Sequence, residues 1–223
     1  MRGPARWRKE SATTLLEIMV LVAVLAAIAF VLYAVFVPKG RPHNHGPSCV
    51  NNLKNIGLAY RIFSTDNNGL FPWAVSTNAG GTAEIPQDAA NVWRQYAALS
   101  NELSSPKILA CPQDSERRYA SNFNCLANTN LSYFLGLLAD ETQPDTILAG
   151  DRNLTINRAP VAPGLLRLRT NQHAGFSMGI HTNAGNILLG DGSVQMVTGP
   201  RLRQAVVAAA ASSTNAVNRL LIP

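Results

Sequence analysis

The chain has 223 residues and a formal net charge of +6, with 14% charged and 47% hydrophobic residues. Residues 1–37 carry +2 of that charge, which leaves +4 spread over 38–223. In the longer part Lys and Arg are scattered singly, apart from Arg117-Arg118 and Arg167-x-Arg169, with no aromatic ladder between them, so no nucleic-acid partner is expected.

Leu15 to Val37 is an uninterrupted apolar run of twenty-three residues whose one charged side chain is Glu17. As a helix it would be roughly 34 Å long at ~1.5 Å per residue, enough to cross a hydrocarbon core of ~30 Å. Arg2, Arg6, Arg8 and Lys9 precede the run, and Pro38, Gly40 and Pro42 follow it. The basic head predicts a cytoplasmic N-terminus and a single-pass membrane protein whose remainder lies outside. Ala27-Ile28-Ala29 offers a secretory cleavage site, but the apolar run continues for eight residues past it. A carboxylate in such a helix is costly away from the interface. Glu17 therefore either caps the helix start in the headgroup region, where the helix dipole favours an anion, or serves a partner.

Ser11-Ala12-Thr13-Thr14-Leu15-Leu16-Glu17 with its apolar continuation resembles the prepilin N-terminus of type IV pilins and type II secretion pseudopilins. The resemblance implies cleavage by a prepilin peptidase between Ala12 and Thr13. It also implies an assembly role for Glu17, the fifth residue of the processed chain. Ala12 and Thr13 stand where the family usually has Gly and Phe. The implied organisation is a basic leader at 1–12, a transmembrane helix at 13–37, a Pro/Gly linker at 38–47 and an exported domain at 48–223.

From Ser48 the pattern turns helical, with Cys49, Leu53, Ile56, Tyr60 and Phe63 recurring at three and four residues. Asp66-Asn67-Asn68-Gly69 reads as a tight turn. A second helix is expected over Ala89–Leu103. Short strands are expected at Lys107–Cys111, Leu131–Leu137, Thr146–Ala149, Leu165–Leu168, Phe176–Ile180, Asn186–Leu189 and Ser193–Val197, then an Ala-rich helix from Pro200 to near Ser213. Gly190-Asp191-Gly192 is a hairpin signal between the last two strands. Ile147-Leu148-Ala149-Gly150-Asp151 and Ile187-Leu188-Leu189-Gly190-Asp191 share one frame, read as two buried strands that each leave the sheet through a Gly-Asp turn.

The three cysteines, Cys49, Cys111 and Cys125, have no zinc-like spacing. They allow three single-bridge pairings. Cys111 and Cys125 enclose a polar loop and make the best pair in an oxidising compartment, with three reduced, buried cysteines as the open alternative. His181 and Asp191 would stand at opposite ends of the strand Asn186–Leu189, roughly 15 Å apart, too far to act as one catalytic pair. His173 and Asp151 are the other candidates for a metal cluster, and sequence does not bring them together. His43 and His45, two apart among prolines and glycines, read as solvated loop.

Cys49-Val50-Asn51-Asn52-Leu53-Lys54-Asn55-Ile56-Gly57-Leu58, Asp66-x-x-Gly69-x-Phe71-Pro72, Cys111-Pro112 and His181 with Asp191-Gly192 occur in that order. Together they look like the pseudopilin-like proteins of Planctomycetes and Verrucomicrobia, which end in a His-nine-residues-Asp-Gly motif. The resemblance implies an α+β, pilin-like fold: an N-terminal transmembrane helix, then a helix packed on a mainly antiparallel β-sheet. It further implies a filament or secretion-apparatus subunit whose partners are prepilin peptidase, other pseudopilin subunits and the inner membrane. No catalytic residue, metal or cofactor is expected. The rival expectation is a solitary anchored envelope protein whose outer domain binds a metal, glycan or peptide.

Overall fold

The computed structural model describes residues 15–36, 45–212 and 217–223. Contacts divide the chain into two units, Met1–His43 and Asn44–Pro223.

The first unit holds α1, Leu15–Phe36, with Glu17 in its first turn. Each of its side chains from Leu15 to Tyr33 is exposed. An apolar helix with no packed face in water has no stable home there, and the span Leu15–Tyr33 is long and apolar enough to cross a membrane.

The second unit opens with α2, His45–Asp66. This corrects the expected linker: its last three residues, His45 to Pro47, form the first turn of the helix. A proline is tolerated there because the first-turn amides have no intrahelical acceptor. Residues 38–44 of the expected linker lie outside the described residues. Cys49, Leu53, Ile56, Tyr60 and Phe63 all lie on the buried face of α2, at most 5% exposed, as their spacing predicts. Gly57 lets that face approach the sheet closely, since a Cβ there would stand 2.8 Å from Leu188 Cδ1.

After α2 the chain follows turns and 3-10 segments. The expected helix Ala89–Leu103 shortens to α3, Val92–Ala97. Asp88 Oδ1 accepts from the amides of Ala90 and Asn91 and holds the approach in a turn. The expected strand Lys107–Cys111 is a 3-10 helix at Pro106–Leu109, entered through Pro106, with Ser105 accepting from the Lys107 amide. Proline holds φ near the helical value and lacks only a donor that the first turn leaves without an acceptor, so it favours this start.

Among the described residues nine strands follow: β1 Tyr133–Gly136, β2 Ile147–Asp151, β3 Leu154–Ile156, β4 Ala159–Pro160, β5 Gly164–Arg169, β6 Ala174–Phe176, β7 Ala184–Leu189, β8 Val194–Thr198 and β9 Val217–Ile222. Helix α4, Gly199–Ser212, lies between β8 and β9. A six-stranded sheet runs in the order β5-β9-β1-β2-β7-β8, with every neighbouring pair antiparallel. A smaller sheet, β4-β3-β6, is also antiparallel.

The large sheet is covered on both faces. Tyr133, Leu135, Leu188 and Leu221 pack with the α2 stripe and Tyr96, while Phe134, Ile187, Leu189, Leu220 and Ile222 pack with Leu202, Val206, Ala209 and the small sheet's Leu154 and Phe176. Successive strand residues point to opposite faces, so strands buried on both sides read as continuous apolar runs. Tyr60 anchors the α2 side, its ring centroid 5.8 Å from Phe71, 5.7 Å from Trp73 and 6.3 Å from Tyr96.

Candidate functional site

Ala12 and Thr13, the expected cleavage pair, lie outside the described residues. Glu17 sits in the first turn of α1, where a carboxylate faces the positive end of the helix dipole.

The expected Cys111–Cys125 bridge is overturned. Cys111 pairs with Cys49, S–S 2.08 Å, across a sequence separation of 62. Cys49 lies on the buried stripe of α2 and Cys111 in the buried turn after Leu109, 0% and 2% exposed. Cys125 closes a surface 3-10 turn and is an exposed free thiol. The signal for the correct pair was present: Cys49 shares the helical spacing of Leu53 and Ile56, so it had to enter the core where Cys111 lies.

Against this bridge stands a buried polar cluster. The Cys111 sulfur is 3.7 Å from His181 Nε2. That nitrogen is 3.3 Å from Asp151 Oδ2, and the two side chains are 3% and 0% exposed. Asn186 completes the group. Its backbone N–H donates to Asp151 Oδ2 at 2.6 Å, its side-chain amide donates to the same oxygen at 2.9 Å, and the amide lies 3.0 Å from His181 Nε2. Asp151 ends β2, Asn186 lies in β7, and β2 and β7 are antiparallel neighbours with Gly150 opposite Ile187. The repeated Ile-Leu-x-Gly-Asp frame is thus one strand pair. The expected Gly-Asp turn holds for Asp191 only, because Asp151 stays inside the sheet edge and is fully buried.

Burial pushes the Asp151 carboxyl up to about 7; the two bonds from Asn186 oppose that rise, and the nearby Asp114 carboxylate adds to it. Burial pushes His181 down from its ordinary value. Asp151 alone would keep a proton when folded that the unfolded chain has lost, so its stabilising contribution is present at low pH and fades as pH rises from about 4 to about 7. His181 alone acts the other way, costing stability below about 6.5, where only the unfolded imidazole is charged. Below about 6.5 the two contributions run in opposite directions with pH and so offset in part.

Nearby, Arg152 grips Asp114 with two bonds, Nε to Oδ2 at 2.7 Å and Nη2 to Oδ1 at 2.8 Å, and reaches Glu116 at 2.6 Å. Burial alone would raise Asp114, but the Arg152 fork outweighs it and the carboxyl is held below its ordinary value.

Cys49, Cys111 and His181 bring three donor atoms within 4.8 Å of one another. Both sulfurs are joined to each other, and metal ligation needs thiolates, so the bridged form offers only the imidazole. The expected candidates His173 and Asp151 do not meet; Asp151 meets His181 instead, a pairing for which the sequence carries no local signal. Asp191 lies in the β7–β8 turn, where its Oδ1 accepts from the Ser193 amide at 2.8 Å and its carbonyl accepts from Arg61 at 2.9 Å. Gly192 beside it has φ +84°, a conformation that favours glycine. His181 and Asp191 have separate partners.

Such a cluster stores a proton and ties β2, β7 and the His181 loop to the disulfide. Asp151 and Asn186 are fully buried, and the His181 side chain is 3% exposed. The chain matches no known family, no curated protein and no solved structure. Fold and site define an α+β protein with one N-terminal helix long and apolar enough to span a membrane, and an antiparallel sheet covered on both faces.

Proposed function

We propose that the chain is a pseudopilin-like structural subunit of a type II secretion or type IV pilus-like envelope apparatus. A prepilin peptidase removes residues 1–12, and the processed helix assembles with its neighbours in the inner membrane while residues 48–223 stand in the periplasm. The observation that carries this reading is α1, an apolar helix exposed from Leu15 to Tyr33 with Glu17 in its first turn, followed by a domain whose first helix lies on an antiparallel sheet. In a bundle of such helices Glu17 of one subunit neutralises the new Thr13 ammonium of the next. That pairing fixes the axial register, since only one offset brings the two charges together. Ala23, Ala26 and Ala27 give the close approach such packing needs.

A solitary anchored protein with a ligand-binding outer domain is the second reading, favoured by the separate packing of residues 44–223 as one unit. Two measurements on membranes separate them. Co-expression with a prepilin peptidase should give an intact mass that begins at Thr13, and Glu17→Gln should reduce crosslinking between neighbouring anchors while insertion is unchanged. A full-length product that crosslinks equally well as Glu17→Gln defeats assembly and leaves the solitary anchor.

A further inference from the structure

Four side chains with metal-ligating atoms converge where the Cys49–Cys111 bridge meets the sheet. Cys49 comes from the start of α2, Cys111 from the turn after Leu109, Asp151 from the end of β2 and His181 from the loop before β7. No Cys-x-x-Cys spacing announces the set, because its members lie in separate segments. The two sulfurs and an imidazole nitrogen lie within 4.8 Å of one another. His181 Nε2 stands 3.7 Å from the Cys111 sulfur and 3.3 Å from Asp151 Oδ2. Tetrahedral zinc bonds of ~2.0–2.3 Å put nitrogen and sulfur ligands about 3.6 Å apart and nitrogen and oxygen ligands about 3.3 Å apart. The imidazole nitrogen already keeps both spacings.

A second observation points to a cation. Asp151 Oδ2 accepts both Asn186 bonds, but Oδ1 is buried with no hydrogen-bond partner among the described residues. A carboxylate oxygen with no donor inside a core carries its full desolvation cost unless a positive charge completes it. Cys49, Cys111 and Asp151 are buried and the His181 side chain is 3% exposed, the closed setting of a structural zinc site.

We propose that the reduced chain is a zinc form, with Zn²⁺ held by the Cys49 and Cys111 thiolates, His181 Nε2 and the Asp151 carboxylate in place of the disulfide. A dithiol supplies the two electrons and two protons that open the S–S bond, and leaves as its own cyclic disulfide. Zn²⁺ then binds both sulfurs and releases their two protons. Asn186 keeps the carboxylate oriented through its two N–H bonds. Bridge and metal tie α2 to the turn after Leu109, and the metal adds the entry of β7, so the crosslink persists where thiols stay reduced. The inference rests on the cluster alone and holds for an assembled or a solitary chain alike.

The test uses the full chain in detergent, reduced with dithiothreitol, desalted without air and titrated with Co²⁺ and then Zn²⁺. The reduced chain should take up one Co²⁺ with thiolate-to-metal charge-transfer absorption and the intense visible bands of a tetrahedral site, and Zn²⁺ should displace it. Zn²⁺ should also raise the melting temperature of the reduced chain and leave that of the bridged chain unchanged. Cys49→Ala, Cys111→Ala and His181→Asn should each weaken Co²⁺ binding at least tenfold. Asp151→Asn should do the same while keeping the charge-transfer band, and Cys125→Ser should bind as the parent does. A reduced chain that binds no Co²⁺, binds it without the thiolate band, or stays unfolded with Zn²⁺ present overturns the proposal. Equal stabilisation of the bridged chain by Zn²⁺, or full affinity in a folded Cys49→Ala, also overturns it. Full affinity in Asp151→Asn overturns the closed four-ligand site.

Discussion

Breaking the Cys49–Cys111 bridge is the sharpest test of how this domain is held together. The bridge closes a loop with a sequence separation of 62, from the buried face of α2 to the turn after Leu109. In the chain-entropy account a loop of that length restricts the unfolded chain enough to add about 4 kcal/mol at 25 °C. For a domain of this size each kcal/mol moves the melting temperature by ~2–4 °C, so the loss should be roughly 8–16 °C. Both sulfurs are buried, and Ala is the better replacement, since a Ser hydroxyl left without a partner would add its own penalty of ~1–3 kcal/mol. Urea and thermal unfolding of the full chain in detergent, taken from an oxidising envelope, should therefore show Cys49→Ala and Cys111→Ala equally destabilised. The double variant should be little worse than either. Cys125→Ser, at an exposed thiol, should match the parent. A non-reduced peptide map should contain the Cys49–Cys111 pair and a free Cys125. Equal loss from Cys125→Ser, or less than ~1 kcal/mol from Cys49→Ala, would refute the argument.

The other expectations are more local. His181→Asn removes an imidazole whose lowered titration opposes that of Asp151, so the variant should lose stability as pH rises from about 4 to about 7, more steeply than the parent does below about 6.5; urea midpoints across that range decide it. A flat His181→Asn profile would mean Asp151 is not held protonated. Gly192→Ala, forced to φ +84°, should cost about 1–2 kcal/mol in urea unfolding, whereas Gly179→Ala, with its nearest neighbour at 3.6 Å, should cost little.

Elements with a clean period were legible in the sequence. The α2 stripe, α4 and the strand pair around Gly190–Gly192 follow from spacing and turn chemistry alone. Two failures have physical causes. Lys107–Cys111 is apolar enough for a strand, but Pro106 and the Ser105 cap start a 3-10 turn instead. The closing strand β9, Val217–Ile222, pairs with both β5 and β1, yet its sequence offers one short apolar run after an Ala-rich helix. Its place in the sheet is decided by those two distant strands, and local pattern carries no record of them. The same holds for Asp151 and His181, thirty positions apart, which meet only because β2 and β7 pair.

The fixed distance from His181 to Asp191 acquires a physical meaning in the fold. Between them lie a loop in which Thr182 and Asn183 take φ of 49° and 61°, the six residues of β7, and Gly190. Six strand residues at ~3.3 Å each span roughly 20 Å, so the two side chains mark the two ends of one strand. His181 fixes the entry, held against Asp151 of β2 and the Cys111 sulfur. Asp191 fixes the exit, closing the turn to Ser193 while its carbonyl accepts from Arg61 of α2. Both ends are thereby referred to the same helix, through the Cys49 bridge at its start and Arg61 near its finish. Inserting one residue within β7 would shift one clamp out of reach and turn Ile187 and Leu188 to the wrong faces. The spacing therefore records the length of a strand pinned under α2, and its two polar residues act as clamps in separate places.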